Sequence, residues 1–286
     1  MNVDRVLRDA TRVLVEAGVP SPAVDAELLL AHVAGRPVGD LRRARIVGEE
    51  VPGPTRTAYL ELVDRRARRV PLQHLTGTAH LGGVDLAVGP GVFVPRPETE
   101  VLLALALEAL DDLAAPTVVD LCTGSGAIAL AVARARPDAR VGAVELSEDA
   151  HRYALTNVER TGLRVDLRLG RAQEAFDDFV GTVDVVTSNP PYIPPGAVPV
   201  DVEVREHDPA LALYGGGEDG LQVPLEVAAR AAVLLRPGGV LLMEHAEAQG
   251  RSLPQALAAQ GTWSSVDDHS DLAGLPRVAR AVRAAP

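Results

Sequence analysis

Thr117-Val118-Val119-Asp120-Leu121-Cys122-Thr123-Gly124-Ser125-Gly126 reads as an apolar strand running straight into a glycine-rich turn, with a helix opening at about Ala127. A short apolar run of this kind fits a strand buried on both faces of a parallel sheet. Four further apolar runs, near 140–145, 164–169, 183–188 and 239–244, are each flanked by helical stretches. That alternation predicts an α/β fold with a doubly wound, mostly parallel, Rossmann-like sheet. The tail, 276–283, alternates Val and Ala with Arg and is expected to add an antiparallel edge strand.

Upstream, the pattern changes. Val3, Val6, Leu7, Val13 and Leu14 recur at helical spacing over 3–17 and are closed by Gly18. Ser21-Pro22 is a cap followed by proline at the first helical position and opens a second helix through about Val33. Helices near 37–46 and 54–69 follow, so residues 1–74 are expected to form a helical bundle. The run Arg65-Arg66-Ala67-Arg68-Arg69 is read as a solvated helix end that complements the dipole, ahead of a docking patch. Residues 75–95 hold Gly77, Gly82-Gly83 and Gly89-Pro90-Gly91 between short apolar pieces and read as a β-hairpin linker. Residues 96–286 then make the sheet domain.

Composition bounds the function. The chain has 286 residues, 47% of them apolar but only 3% aromatic, which predicts an aliphatic core. All 28 basic residues are Arg, a compositional bias rather than a signature. Residues 1–75 carry 12 Arg against 10 acids (+2) and residues 76–286 carry 16 against 29 (−13), together the net −11. So acidic a catalytic part repels a phosphate backbone, which argues against direct nucleic-acid binding and for a polypeptide partner. The single cysteine, Cys122, permits neither an intramolecular disulfide nor a cysteine zinc site, and no spacing suits a metal. No apolar run is long enough to span a bilayer and the first residues lack a signal core, so a soluble, cytoplasmic protein is expected; a monomer is expected as well, though no residue pattern fixes the oligomeric state.

Gly124-Ser125-Gly126-Ala127-Ile128-Ala129 fits the G-x-G-x-x-A form of a dinucleotide fingerprint, and taken alone it leaves NAD and S-adenosylmethionine both open. Asp120 at the strand end suits an ammonium better than a pyrophosphate, and Glu145, ending the second strand, can accept both hydroxyls of a ribose. Asn189-Pro190-Pro191-Tyr192, after the strand 183–188, has no use in hydride transfer. Its carboxamide oxygen and the Pro190 carbonyl can accept both hydrogens of a planar nitrogen, freeing the lone pair for attack, while Tyr192 lays a ring against a flat group. Gly170-Arg171-Ala172 lies where an adenine would rest, with Arg171 either stacked on it or solvated.

These segments resemble the HemK-type family of release-factor glutamine methyltransferases over essentially the whole chain. The supporting stretches are Pro71 to Gly77, Phe93-Val94-Pro95-Arg96-Pro97-Glu98-Thr99-Glu100, Asp120 to Gly126, Asn189 to Ile193, and Asp208 to Leu213 through Gly220. The resemblance implies methyl transfer from S-adenosyl-L-methionine, giving S-adenosyl-L-homocysteine, to the glutamine side-chain amide in the Gly-Gly-Gln loop of class 1 peptide chain release factors. It implies that the bundle helps grip the release factor. It carries Cys122, Thr123, Gly124, Ser125, Gly126, Glu145, Arg171, Ala172 and Asn189 over as cofactor contacts, with Asn189 and Pro190 catalytic and Pro191 and Tyr192 beside the substrate. Cys122 stands where the family usually has glycine, and Ala172 where an aromatic is often found near adenine.

Other residues have plainer readings. Glu98, Thr99 and Glu100 fit the first turn of a helix over the cofactor. His207 and Asp208 fit a loop-ordering role rather than a catalytic pair, Trp263 packs, and His245 beyond Glu244 is structural. The competing functions are glutamine methylation of a ribosomal protein, amino-methylation of nucleic acid, a cofactor-binding regulator without turnover, and a nicotinamide oxidoreductase.

Overall fold

Five helices open the chain, the first two with clear local boundaries. The Asn2 side chain accepts from the Arg5 N–H to start α1 (Val3–Glu16), Pro22 starts α2 (Pro22–Ala34), and Gly35 ends α2 in the left-handed conformation. Next come α3 (Val38–Ile46), α4 (Gly53–Ala67) and the short α5 (Leu72–Thr76). Their buried faces share one core of Leu7, Leu14, Leu29, Leu30 and Tyr59, and the buried Tyr59 hydroxyl is satisfied by donating to the Ala26 carbonyl.

The structure, a computed structural model, describes residues 1–285 and divides the chain into two units. Residues 1–78 and 199–207 make one, and the rest makes the other. The return of 199–207 to the bundle has an electrostatic cause. Arg66 is 4% exposed; its Nε donates to Asp25 (2.7 Å) and its Nη2 lies 2.8 Å from Glu203, which also takes Arg69 at 3.0 Å. The arginine run is therefore not simply a solvated helix end. Arg65 and Arg68 face solvent, whereas Arg66 and Arg69 are gathered into an internal ion cluster. A buried guanidinium without its carboxylates would cost several kcal/mol, roughly 3–5.

In the second unit a hairpin of β1 (Thr78–Leu81) and β2 (Val84–Ala87) precedes α6 (Thr99–Leu110) and β3 (Thr117–Leu121). Then α7 (Ala127–Ala135), β4 (Arg140–Glu145), α8 (Glu148–Thr161), β5 (Val165–Leu169) and β6 (Val183–Ser188) alternate. Beyond α9 (Val202–His207), which belongs to the bundle unit, lie α10 (Ala210–Leu213), α11 (Gln222–Leu234), β7 (Leu235–Glu244), α12 (Ser252–Ala259), β8 (Trp263–Ser270) and β9 (Pro276–Arg283). The sheet order is β5-β4-β3-β6-β7-β9-β8, the first five strands parallel. The tail strand is antiparallel as expected, but it is not the edge: β8 pairs outside it. β8 escapes a sequence reading because its Ser, Asp and His residues are mostly exposed.

Alternate strand residues feed two cores, as the pleat requires. Val118, Val185, Val240 and Leu242 meet α6 and α7, while Val119, Val186, Leu241 and Met243 meet α11 and α12. Strand order reverses at β3, flanked by β4 and β6, and at such a switch point the carboxyl ends of the strands open a crevice.

Candidate active site

At the carboxyl end of β3 the chain turns with Cys122, Gly124 and Gly126 all in the left-handed region, at φ of 66°, 58° and 81°. A Cβ at Gly124 would meet nothing within 4 Å, so a ligand can approach this backbone closely. Asp120 is fully buried, with Thr123 Oγ1 donating to Oδ2 (2.5 Å) and Thr187 Oγ1 to Oδ1 (2.7 Å). Burial pushes its carboxyl up to about 6, against the pull of those two hydroxyls. Both oxygens thus serve the turn and the neighbouring strand, and the carboxylate lies wholly inside the fold. What Asp120 gives the site is the shape of the turn.

Glu145 closes β4 and is held by backbone: Gly124 N donates to Oε2 and Ser147 N to Oε1, both at 2.8 Å. Burial raises its pKa, and those N–H groups oppose the rise. Each oxygen keeps a lone pair, so the carboxylate is fixed in place with acceptor capacity left for ribose hydroxyls. Asn157 on α8, fully buried, braces the turn: Nδ2 donates to the Ser125 and Ala87 carbonyls (both 3.0 Å) while Oδ1 takes the Ala87 N–H. Sequence reasoning missed it; an Asn buried in mid-helix is legible only once its partners are known.

Arg171 is exposed, with Glu174 at 3.9 Å, whereas Ala172 is buried in the core cluster that also holds Val144. Cys122 is half-buried, and burial pushes its thiol up, so it stays protonated.

Asn189 follows β6 directly. The register Leu121↔Ser188 sets it one residue beyond the strand end, beside the glycine turn of β3. Asn189 is half-exposed, Pro190 buried, and Pro191 and Tyr192 half-buried. The stretch is held open by a second segment. Ile193 N donates to Leu213 O (2.8 Å), Gly215 N to Ile193 O (3.0 Å), and Gln249 Nε2 to the Tyr192 carbonyl (2.8 Å). Gly215 and Gly220 explain the glycine-rich run downstream. A Cβ on Gly215 would fall 2.6 Å from the Pro191 carbonyl oxygen, and one on Gly220 would collide with that of Tyr192. Only bare backbone fits against bare backbone here.

Glu244, the last residue of β7, stands beside this motif and is 2% exposed. Thr99, at the start of α6, donates to its Oε2 (2.9 Å), and the nearby Asn189 side chain favours its charged form. Burial pushes its carboxyl up to about 7; Thr99 and the positive charge of Arg277 pull it down, and Glu98 pushes it up. Burial also raises the Tyr192 phenol. Arg96 pairs with Asp208 (2.6 Å), joining two of the family-like segments, while His207 lies edge-on to His74 within the bundle unit. Successive residues thus serve different elements, which is the loop-ordering role. His245 is buried, its Nε2 bonded to Asp268 and Nδ1 to the Ala246 carbonyl (both 2.8 Å), a structural residue as expected. No cluster of His, Cys, Asp and Glu arranged to hold a metal ion is found among the described residues.

A doubly wound sheet whose switch point joins a glycine turn to an Asn-Pro-Pro-Tyr strand end defines a Rossmann-like methyltransferase. Residues 5–77 match the PrmC N-terminal domain and residues 71–205 the methyltransferase small domain. The chain is 50% identical to a release factor glutamine methyltransferase of Streptomyces coelicolor, over 97% of this chain and 96% of that one. It is 42% identical to a 4-amino-L-phenylalanine/4-methylamino-L-phenylalanine methyltransferase of Streptomyces pristinaespiralis, over 91% and 88%. In fold it is similar to a T. thermophilus 16S rRNA N2 G1207 methyltransferase solved with AdoMet and guanosine (TM-score 0.53, 22% identity, 72% of this chain and 49% of that one). The chain belongs to the release factor glutamine methyltransferase family.

Proposed function

We propose that this protein transfers a methyl group from S-adenosylmethionine to the side-chain amide nitrogen of the glutamine in the Gly-Gly-Gln loop of class 1 release factors. The observation that carries the reading is the placement of Asn189 and Pro190, the first two residues past β6, beside the glycine turn of β3. The turn fits the cofactor: Thr123 to Gly126 approach it with backbone, and Glu145 takes the ribose hydroxyls. Asp120 shapes the turn from within, while Arg171 and Ala172 flank the adenine.

Bound there, S-adenosylmethionine supplies a methyl carried on a sulfonium with its own leaving group. The protein's part is to aim and activate the acceptor. Asn189 Oδ1 and the Pro190 carbonyl take the two amide hydrogens, drawing nitrogen out of conjugation with its carbonyl, while Tyr192 backs the plane of the group. Positioning of this kind is worth up to about 7–11 kcal/mol, and polarisation of the amide adds an electrostatic share. The proton leaves after alkylation, when the nitrogen is strongly acidic, and water takes it.

The bundle of residues 1–74 is the docking element for the release factor, residues 75–95 link it to the catalytic domain, and the protein works as a cytoplasmic monomer without touching nucleic acid or membrane. No helix is long and apolar enough to cross a membrane among the described residues. The test is incubation of purified protein with methyl-labelled donor and recombinant release factor, followed by peptide mass mapping. Label is expected on the loop glutamine and lost when that glutamine is changed to alanine. Label on a ribosomal protein, on nucleic acid or on free 4-amino-L-phenylalanine in parallel arms, with the release factor unmodified, would overturn the reading.

A further inference from the structure

The sequence gives Asn189 a role but no means of facing the right way. A carboxamide can rotate by half a turn and offer NH2 where oxygen is needed, and the two ends differ little in shape. An Asn that holds an acceptor amide needs something behind it that tells oxygen from nitrogen.

We infer that Glu244 is that positioning residue: its carboxylate, fixed by the Thr99 hydroxyl, takes the NH2 of Asn189 and turns Oδ1 toward the acceptor amide. The inference rests on the reading that Asn189 accepts from that amide. Three observations carry it. Glu244 ends β7 next to β6, and the register Ser188↔Met243 sets Asn189 and Glu244 side by side. Thr99 donates to Oε2 at 2.9 Å, so one face of the carboxylate is already committed. Glu244 is 2% exposed, and the neighbouring Asn189 side chain favours its charged form.

An ionised carboxylate has no proton to give, so only the nitrogen end of Asn189 can face it. A protonated Glu244 carries an O–H that can donate to Oδ1 and occupy the lone pair meant for the acceptor. The orientation is therefore tied to ionisation. The charged and titratable groups around Glu244 are Glu98 at the start of α6, Arg277 on β9, itself 3.1 Å from Asp271, and Tyr192 of the acceptor motif. With the carboxyl titrating near 7, the oriented form is dominant only on the alkaline side.

The experiment is the pH profile of kcat/KM for release-factor methylation, with single-turnover rates, in wild type, Glu244→Gln and Thr99→Val. Wild type is expected to lose activity on the acid side of about pH 7, approaching about tenfold per unit. Glu244→Gln should lose that limb and run, at every pH, about 10- to 100-fold below the wild-type alkaline plateau, because a second amide no longer dictates which end of Asn189 faces it. Its KM for release factor and its affinity for S-adenosylhomocysteine should stay within about twofold, and its Tm at pH 8 should be unchanged or higher. Thr99→Val removes a bond to the charged form, so its limb should move to higher pH. A Glu244→Gln enzyme with the wild-type limb and plateau overturns the inference, as does a rate loss matched by loss of Tm or cofactor affinity. Wild-type methyl transfer in the same assay reports on the functional reading separately.

Discussion

The two halves of the site are built in opposite ways. At the β3 turn most parts lie nearer in sequence: Asp120 is held by Thr123, Glu145 by Ser147 and by Gly124, with Thr187 and Asn157 reaching in from farther away. At the β6 end the parts are scattered. Asn189 relies on Glu244 and through it on Thr99, and Tyr192 relies on Gln249 and on the bare backbone of Gly220. A cofactor that is always the same can be met by one turn with a few fixed supports. An acceptor that must be both admitted and activated draws on four separate segments, and each of them is a place where rate can be lost without loss of cofactor binding.

Breaking the acceptor half at its centre should have the largest effect. Asn189→Ala is expected to slow turnover about 10²–10³-fold, roughly 3–4 kcal/mol, with S-adenosylhomocysteine affinity by calorimetry unchanged. Next is the cost of keeping Glu244 buried. Its pKa stands near 7 in the folded protein against an ordinary 4.5, so the native state holds the proton more tightly. That stability is full below about pH 4.5 and is lost as pH rises through 7, about 3 kcal/mol in all. The Tm of Glu244→Gln should therefore gain on wild type between about pH 5 and about pH 8. Equal gaps at both pH values would contradict the burial argument.

Gly220→Ala forces a Cβ at φ 79° into the Tyr192 backbone and should cost about 2 kcal/mol, with activity falling further than cofactor affinity. The smallest change sharpens the comparison from the other side. Cys122 holds φ 66°, where a Cβ is strained, so Cys122→Gly should change stability by less than about 1 kcal/mol and leave the rate unaltered, whereas Cys122→Val should destabilise.

The same contrast explains what was legible in the sequence. The parallel strands at 117–121, 140–145 and 183–188 announce themselves because a doubly covered strand must be apolar throughout, and the helices of the bundle because their caps are local. Glu145 and the glycine turn stand out for the same reason. Glu244, Thr99, Gln249 and Asn157 do not, since each acquires meaning only from a residue 32 to 145 positions away. Two readings failed on charge and on pairing. Arg66 lies inside a run that looks solvated, yet Asp25 and Glu203 neutralise it in the interior. β8 is too polar to read as a strand and displaces β9 from the edge.

The division of labour between the two halves is tested most directly by one paired measurement: single-turnover methylation rate and S-adenosylhomocysteine dissociation constant, both in Glu145→Ala and in Asn189→Ala. The expected result is reciprocal, with Glu145→Ala weakening binding about tenfold or more while keeping the rate at saturating donor, and Asn189→Ala doing the reverse. Loss of both quantities together in either variant would contradict it.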